Sequence, residues 1–134
     1  MLPEGFRVDS LNPSDIPTVT ESWKHAFPGH DVMFTTLIKN LPSVCIRDRK
    51  GKSIGHCLTY HCGAMGAFHV DPQHRRHRLG TLIMVLMAEK IRALGTDFPV
   101  FCEVMPGNDM ALRFMDKFGW KDVNRPVFWV SSWF

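Results

Sequence analysis

No apolar run in this chain is long enough to cross a bilayer. The longest uncharged, apolar-rich stretch, Leu79 to Ala88, falls well short of the ~20 residues that a spanning helix needs. A secretory leader is equally hard to find, because Glu4, Asp9 and Asp15 together with Pro3, Pro13 and Pro17 break any continuous apolar core near the start. An intracellular location, cytoplasmic or mitochondrial, is therefore expected, with no membrane partner. Cysteine is scarce. Residues 45, 57, 62 and 102 are the four cysteines of a chain that is 45% hydrophobic, and they read as reduced, mostly buried thiols rather than a disulfide framework. Repeats, low-complexity tracts and linker-like stretches are missing as well, so residues 1–134 are read as a single domain. Tyrosine occurs once, at Tyr60, beside ten phenylalanines and four tryptophans that can fill a core.

Charge of one sign is not in large excess, the formal net charge being +3. What excess there is sits in one place, where Arg75, Arg76 and Arg78 interleave with His74 and His77. A local cluster suits one anionic ligand better than a long polyanion, so nucleic acid is not the expected partner.

The pattern mixes both periodicities. Phe6 to Leu11 predicts a short strand ended by Asn12-Pro13, and Ser14 is placed to cap a helix from Asp15 to about His25. Asp31 to about Asn40 predicts a second helix, with Met33, Phe34, Leu37, Ile38 and Leu41 at helical spacing. Ser43–Asp48 and Ser53–His61 flank a polar, glycine-containing turn and predict an antiparallel pair, and Gly66–Val70 predicts a further strand. The longest helix is expected from about His77 to Leu94, turning Leu82, Ile83, Leu86, Ile91 and Leu94 to the sheet and ending at Gly95. Val100–Met105 predicts a buried strand, Asn108 or Asp109 a cap for a helix Met110–Phe118, and Val127–Trp133 a last strand. This order predicts an α/β or α+β fold with a crossover around the long helix.

Chemistry is concentrated between Phe68 and Leu82, which read as a strand, a basic turn and the start of a long helix. The first turn of a helix leaves backbone N–H groups without partners and carries about half a unit of positive partial charge, so phosphate oxygens are favoured there. The run from His56 to Cys62 invites a metal reading. Strand geometry weakens it: His56 and His61 point to opposite faces, and same-face Cys57 and His61 stand roughly 13 Å apart along a strand. No metal is expected. Phe68, Phe101 and Phe114 suit a core first and an acyl pocket second.

Val70, Pro72, Arg75 and Gly80 match V-x-P-x-x-R-G-x-G-x-G/A, and here the chain resembles the GNAT superfamily of acyl-CoA-dependent N-acyltransferases, whose motif cradles the CoA pyrophosphate. Arg76 and Arg78 stand where that motif has glycine. Asn108, Ala111, Lys117, Gly119 and Trp120 fit a second superfamily motif, N-x-x-A-x-x-x-Y-x-K-x-G-F, with Met115 in the place of the tyrosine that reprotonates the departing thiolate in many members. The resemblance implies a mixed, mostly antiparallel sheet flanked by helices, with acetyl-CoA or another acyl-CoA as co-substrate. It implies cofactor contacts from Phe68, His69 and Val70 along the strand, from Arg75, Arg76, His77, Arg78, Leu79, Gly80 and Thr81 at the turn, and from Asn108 and Phe114.

A narrower resemblance runs over nearly the full length, to the catalytic half of the glycine N-acyltransferase family. It rests on Leu2-Pro3-Glu4-Gly5-Phe6-Arg7 with Ser10-Leu11, on Trp23, and on Phe98-Pro99-Val100 with Asn108 nine residues after Pro99. It implies a small amine acceptor, with an amino acid such as glycine as one candidate. That family's glutamate base falls on Ala64, so another base is expected: Glu103, if burial beside Phe101 and Met105 raises its pKa, or His69 or His61. A non-catalytic acyl-CoA-binding domain is the alternative.

Overall fold

The computed structural model describes residues 2–23, 27–95, 97, 99–104, 107–117 and 119–121, and the side chains of Arg76 and His77 lie outside that description. The chain divides into two compact units, Met1–Cys102 and Glu103–Phe134. The first holds a sheet of strands β1 (Arg7–Asp9), β2 (Ser43–Arg47), β3 (Ser53–Thr59) and β4 (Met65–Val70), in that spatial order and antiparallel throughout. Helices α1 (Ile16–Ser22), α2 (His30–Asn40) and α3 (Leu79–Arg92) belong to this unit, and α4 (Asp109–Lys117) to the second. The expected antiparallel sheet with flanking helices is present. The predicted strand Val127–Trp133 lies outside the described residues.

Period-two alternation places the helices on both faces of the sheet. On β3, Leu58 joins a buried cluster with Val19 of α1, Trp23, Phe34, Leu37 and Ile38 of α2, and Cys45 of β2. Gly55, of opposite parity, faces α3, where an added Cβ would lie 3.0 Å from Ile83 Cδ1. Side chains 56 and 58 thus point toward α1 and α2, and 55 and 57 toward α3. Trp23 closes the first cluster by an edge contact with Phe34, ring centroids 4.8 Å apart.

Several boundaries depart from the sequence reading for local reasons. Asn12, not Ser14, caps the first helical turn: its side chain accepts from Ser14 N–H while Asp15 accepts from Asn12 N–H, a reciprocal box over a 3-10 turn Pro13–Asp15. The long helix starts at Leu79, because Pro72–His77 winds as a 3-10 helix that ends at left-handed Arg78. Its buried side is Leu79, Ile83, Met84, Met87, Ala88 and Ile91, whereas Leu82 and Leu86 are half-buried and Leu94 is exposed. The two methionines, flexible and apolar, take the core positions assigned to leucine. Val100–Met105 is not a described strand. Among its described residues only Cys102 forms a bridge, to Met65 and in parallel, with Met65 N–H donating to Phe101 O at 2.9 Å.

Arg47 was not singled out in the sequence, yet it ties four segments together. Its Nε donates to Asp9 at 2.6 Å, Nη1 to Asp15 at 2.7 Å and Gly51 O at 3.2 Å, and Nη2 to Asp15 at 2.8 Å and Ser10 O at 3.1 Å. Those bonds use all five guanidinium donors. Burial pushes the Asp15 carboxyl up, but the bonds from Arg47 and from Asn12 N–H outweigh it and hold the acid below its ordinary value. Removing the cation leaves a buried carboxylate uncompensated. Arg47→Met is expected to lower unfolding free energy by about 3–5 kcal/mol in denaturant titration, and adding Asp15→Leu to recover much of the loss.

Candidate functional site

The chemistry-bearing segment begins at β4. Residues Ala67 and Phe68 oppose Cys57 in a bulge, and Ala67 takes a left-handed φ of 50°. Gly66 must be glycine, since a Cβ there would overlap the Tyr60 ring. The Tyr60 hydroxyl accepts from Ala67 N–H at 3.1 Å and from Trp23 Nε1–H at 3.1 Å. One residue pair, Met65 and Cys102, joins β4 to the chain on its far side among the described residues. Asp71 N–H donates to Ile54 O at 2.8 Å, and alternation along an antiparallel ladder then turns the Val70 N–H and carbonyl away from β3. Among the described residues no strand is paired to the β4 edge beyond Met65.

That edge leads to the basic turn. Arg75 folds back so that Nε donates to Val70 O at 3.0 Å, which leaves its two Nη groups for an anion. Arg78, exposed, has φ 56° and ψ 27° and serves as the N-cap of α3. A left-handed arginine costs roughly 1–2 kcal/mol relative to a helical one, and glycine would carry no such penalty, which is the physical reason a glycine suits this place. The first i to i−4 bond of α3 runs from Leu82 N–H to Arg78 O at 3.2 Å. The N–H groups of Leu79, Gly80 and Thr81 precede it, in the first turn, where a helix offers its backbone donors no intrahelical partner. Leu79 is buried and can offer only its backbone; Gly80 is half-buried and Thr81 exposed. The fit to a pyrophosphate is good in backbone donors and charge, with one added side chain at Arg78.

The other sequence candidates fall in three places. Phe68 is 36% exposed and His69 half-buried on β4, with His69 Nε2 3.5 Å from Asp71 Oδ1. His61 lies exposed in the turn after β3, not in the strand predicted for it. Glu103 is exposed and outside any strand, so the burial proposed to raise its pKa is absent. Asn108 and Phe114 belong to the second unit, where Asn108 Oδ1 accepts from Ala111 N–H at 3.2 Å and caps α4, and Phe114 is half-buried. Ala64 is fully buried. Cys45 and Cys57 are buried, Cys62 is exposed and Cys102 half-buried, all as free thiols. Among the described residues no three His, Cys, Asp or Glu side chains converge as metal ligands.

A cleft of about 270 Å³ opens between α1 and the sheet, lined by Thr18, Glu21, Ser22, Lys52, Ser53, His56, His69 and Asp71. His56 is the group that sequence reasoning missed, having been weighed only as a metal ligand. It is 1% exposed and stands opposite His69, ring centroids 5.9 Å apart. Among the described residues neither ring nitrogen meets a hydrogen-bond partner. Burial, with His69 as a second cause, pushes its pKa down to about 4.

Solved structures with the same fold come from several sources. A Drosophila protein aligns with a TM-score of 0.81 at 20% identity, over 90% of this chain but 41% of its own length. An AAC(6′)-Iy structure, in complex with the bisubstrate analogue CoA-S-monomethyl-acetylneamine, aligns at 0.74 and 12% identity over 95% and 98% of the two chains. A GCN5-related N-acetyltransferase from Ralstonia eutropha aligns at 0.69 and 13% identity over 94% and 99%. The architecture is that of the GCN5-related N-acetyltransferases. Residues 29–130 match the FR47-like protein family, and the chain belongs to it.

His56 sets a pH dependence of stability. Its folded pKa is depressed, so the unfolded chain binds the proton first: the contribution is complete above about pH 6.5, declines as pH falls, and levels off near pH 4. Thermal or denaturant unfolding is expected to show a loss of about 3 kcal/mol across that window, and His56→Phe should flatten it.

Proposed function

We propose that this chain is an acyl-CoA-dependent N-acyltransferase that moves an acyl group onto a small primary amine, with an amino acid such as glycine as the acceptor. The observation that carries the proposal is the continuity of the open β4 edge with the unpaired N–H groups at the start of α3. In this reading the CoA pyrophosphate lies on Leu79, Gly80 and Thr81 N–H, with Arg75, Arg76 and Arg78 adding charge, and the pantetheine lies along Phe68–Val70. Backbone N–H groups of that edge polarise the thioester carbonyl. His77, Asn108 and Phe114 are assigned to the cofactor by resemblance. The free thiols suit a cytoplasmic or mitochondrial setting.

An amine must lose a proton as it attacks. His69 is the preferred base, because Asp71 at 3.5 Å stabilises the imidazolium that forms, while Glu103 and His61 are exposed to water. A second reading, a non-catalytic acyl-CoA-binding domain, draws on Ala64 and Met115 standing where the resemblance places a base and an acid.

Binding and turnover separate these readings. CoA at about a hundred times its dissociation constant should add roughly 2.7 kcal/mol and raise the unfolding temperature by several degrees, with ATP as a control. Arg75→Glu should remove that shift and Arg78→Gly, which takes away one of the charges, should reduce it; a shift unchanged by Arg75→Glu refutes the placement. For the base, His69→Gln should cut kcat by about 10²-fold or more and abolish the acid limb of its pH profile while the CoA shift persists. Binding without turnover across an amine panel favours the second reading.

A further inference from the structure

His56 is the most buried residue in the wall of the cleft between α1 and the sheet, and among the described residues both of its ring nitrogens lack a partner. Buried polar side chains in native proteins are nearly always answered, so an unanswered imidazole in a cleft wall points to a ligand. The rest of the wall says what kind. Every residue that lines it is polar, and its charged groups are of both signs: the carboxylates of Glu21 and Asp71 and the ammonium of Lys52. Glu21 and Lys52 are exposed, and among the described residues neither belongs to an ion pair. The hydroxyls of Ser22 and Ser53 give their protons to Val19 O at 3.0 Å and Gly55 O at 3.3 Å, which leaves their oxygens to accept.

On the acyl-CoA reading just given, we propose that this cleft seats the acceptor and that Lys52 selects an amine carrying a carboxylate, an α-amino acid with a small or polar side chain. The ammonium lies toward Asp71 and Glu21, with the serine oxygens as further acceptors, and the carboxylate lies on Lys52. The strand register supports that orientation. His69 stands opposite His56 on the paired strand, and Asp71 N–H donates to Ile54 O at 2.8 Å, so Asp71 lies at the corner of the sheet where Lys52 enters β3. With His69 Nε2 3.5 Å from Asp71 Oδ1, an ammonium held at Asp71 is beside the imidazole that takes its proton. A large apolar side chain would bury these polar groups without answering them, which is disfavoured.

The test is calorimetric titration of the full chain, saturated with CoA, with glycine against methylamine and with serine against ethanolamine, pairs that differ by the carboxylate. The amino acid of each pair is expected to bind about tenfold tighter or more. Lys52→Glu should erase that preference while the thermal shift with CoA persists, which also shows that the variant is folded, and Lys52→Arg should keep it. Glu21→Gln should weaken amino acid and amine alike. Methylamine binding as tightly as glycine, or a preference that survives Lys52→Glu, overturns the proposal and leaves the acyl-CoA reading standing. So does failure of all four compounds to bind the CoA-saturated chain. Failure of CoA itself to bind overturns that reading and the proposal with it. In turnover, Lys52→Glu is expected to raise KM for glycine about tenfold, with kcat and KM for acyl-CoA little changed; an unchanged KM for glycine also overturns the proposal.

Discussion

One guanidinium anchors the sheet to what covers it. Arg47 lies at the end of β2, buried to 4% exposure, and its five donors reach β1, the Ser10 carbonyl, the carboxylate that starts α1 and the turn between β2 and β3. A cation in that position is costly unless every donor is answered. Because the answering groups come from Asp9-Ser10, from Asp15 and from Gly51, the arrangement of those segments is specified together. α1 is thereby held over the face of β3 that carries His56, and the cleft beside His69 and Asp71 follows from that placement.

The other end of the unit is built on positive-φ backbone and unpaired donors. Ala67 and Arg78 are the two non-glycine residues at positive φ among the described residues, and they bracket the open β4 edge and the start of α3. Conformations of this kind cost of order 1–3 kcal/mol each and persist where the surroundings over-determine them. At Ala67 the surroundings are Tyr60, Gly66 and the bulge opposite Cys57. At Arg78 they are the 3-10 turn before it and the buried Leu79 after it. Packing on the α1 and α2 side thus supports the bulged part of β4, where Ala67 N–H is bound by Tyr60 and Val70 O by Arg75.

Much of this was legible in the residues. Asn40 and Pro42, the polar turn between Asp48 and Ser53, and Asp71-Pro72 are local stop signals, and the elements they bound appear within one or two residues of their expected places. The edges of α3 were less legible. Its starting point depends on a 3-10 turn whose sequence, Pro72 to His77, reads equally well as loop, and its buried side depends on which apolar residues meet the sheet at Gly55. Val100–Met105 looked like a strand because it is apolar and bounded by turns, but a strand needs a partner, and only Cys102 has one among the described residues.

The sequence by itself determined the class of fold, the order of its elements from β1 to α3 and the basic strand-turn-helix segment, because periodicity, capping and turn chemistry act over a few neighbouring residues. Tertiary structure alone decided that Arg47 is a buried hub, that His56 loses both hydrogen-bond partners, that Glu103 is solvated and that the Tyr60 hydroxyl meets the β4 bulge. Each of these depends on groups brought together from distant parts of the chain, as Arg47 and Asp15 are across 32 positions. Burial and hydrogen-bond satisfaction are properties of such encounters, and no local pattern encodes them.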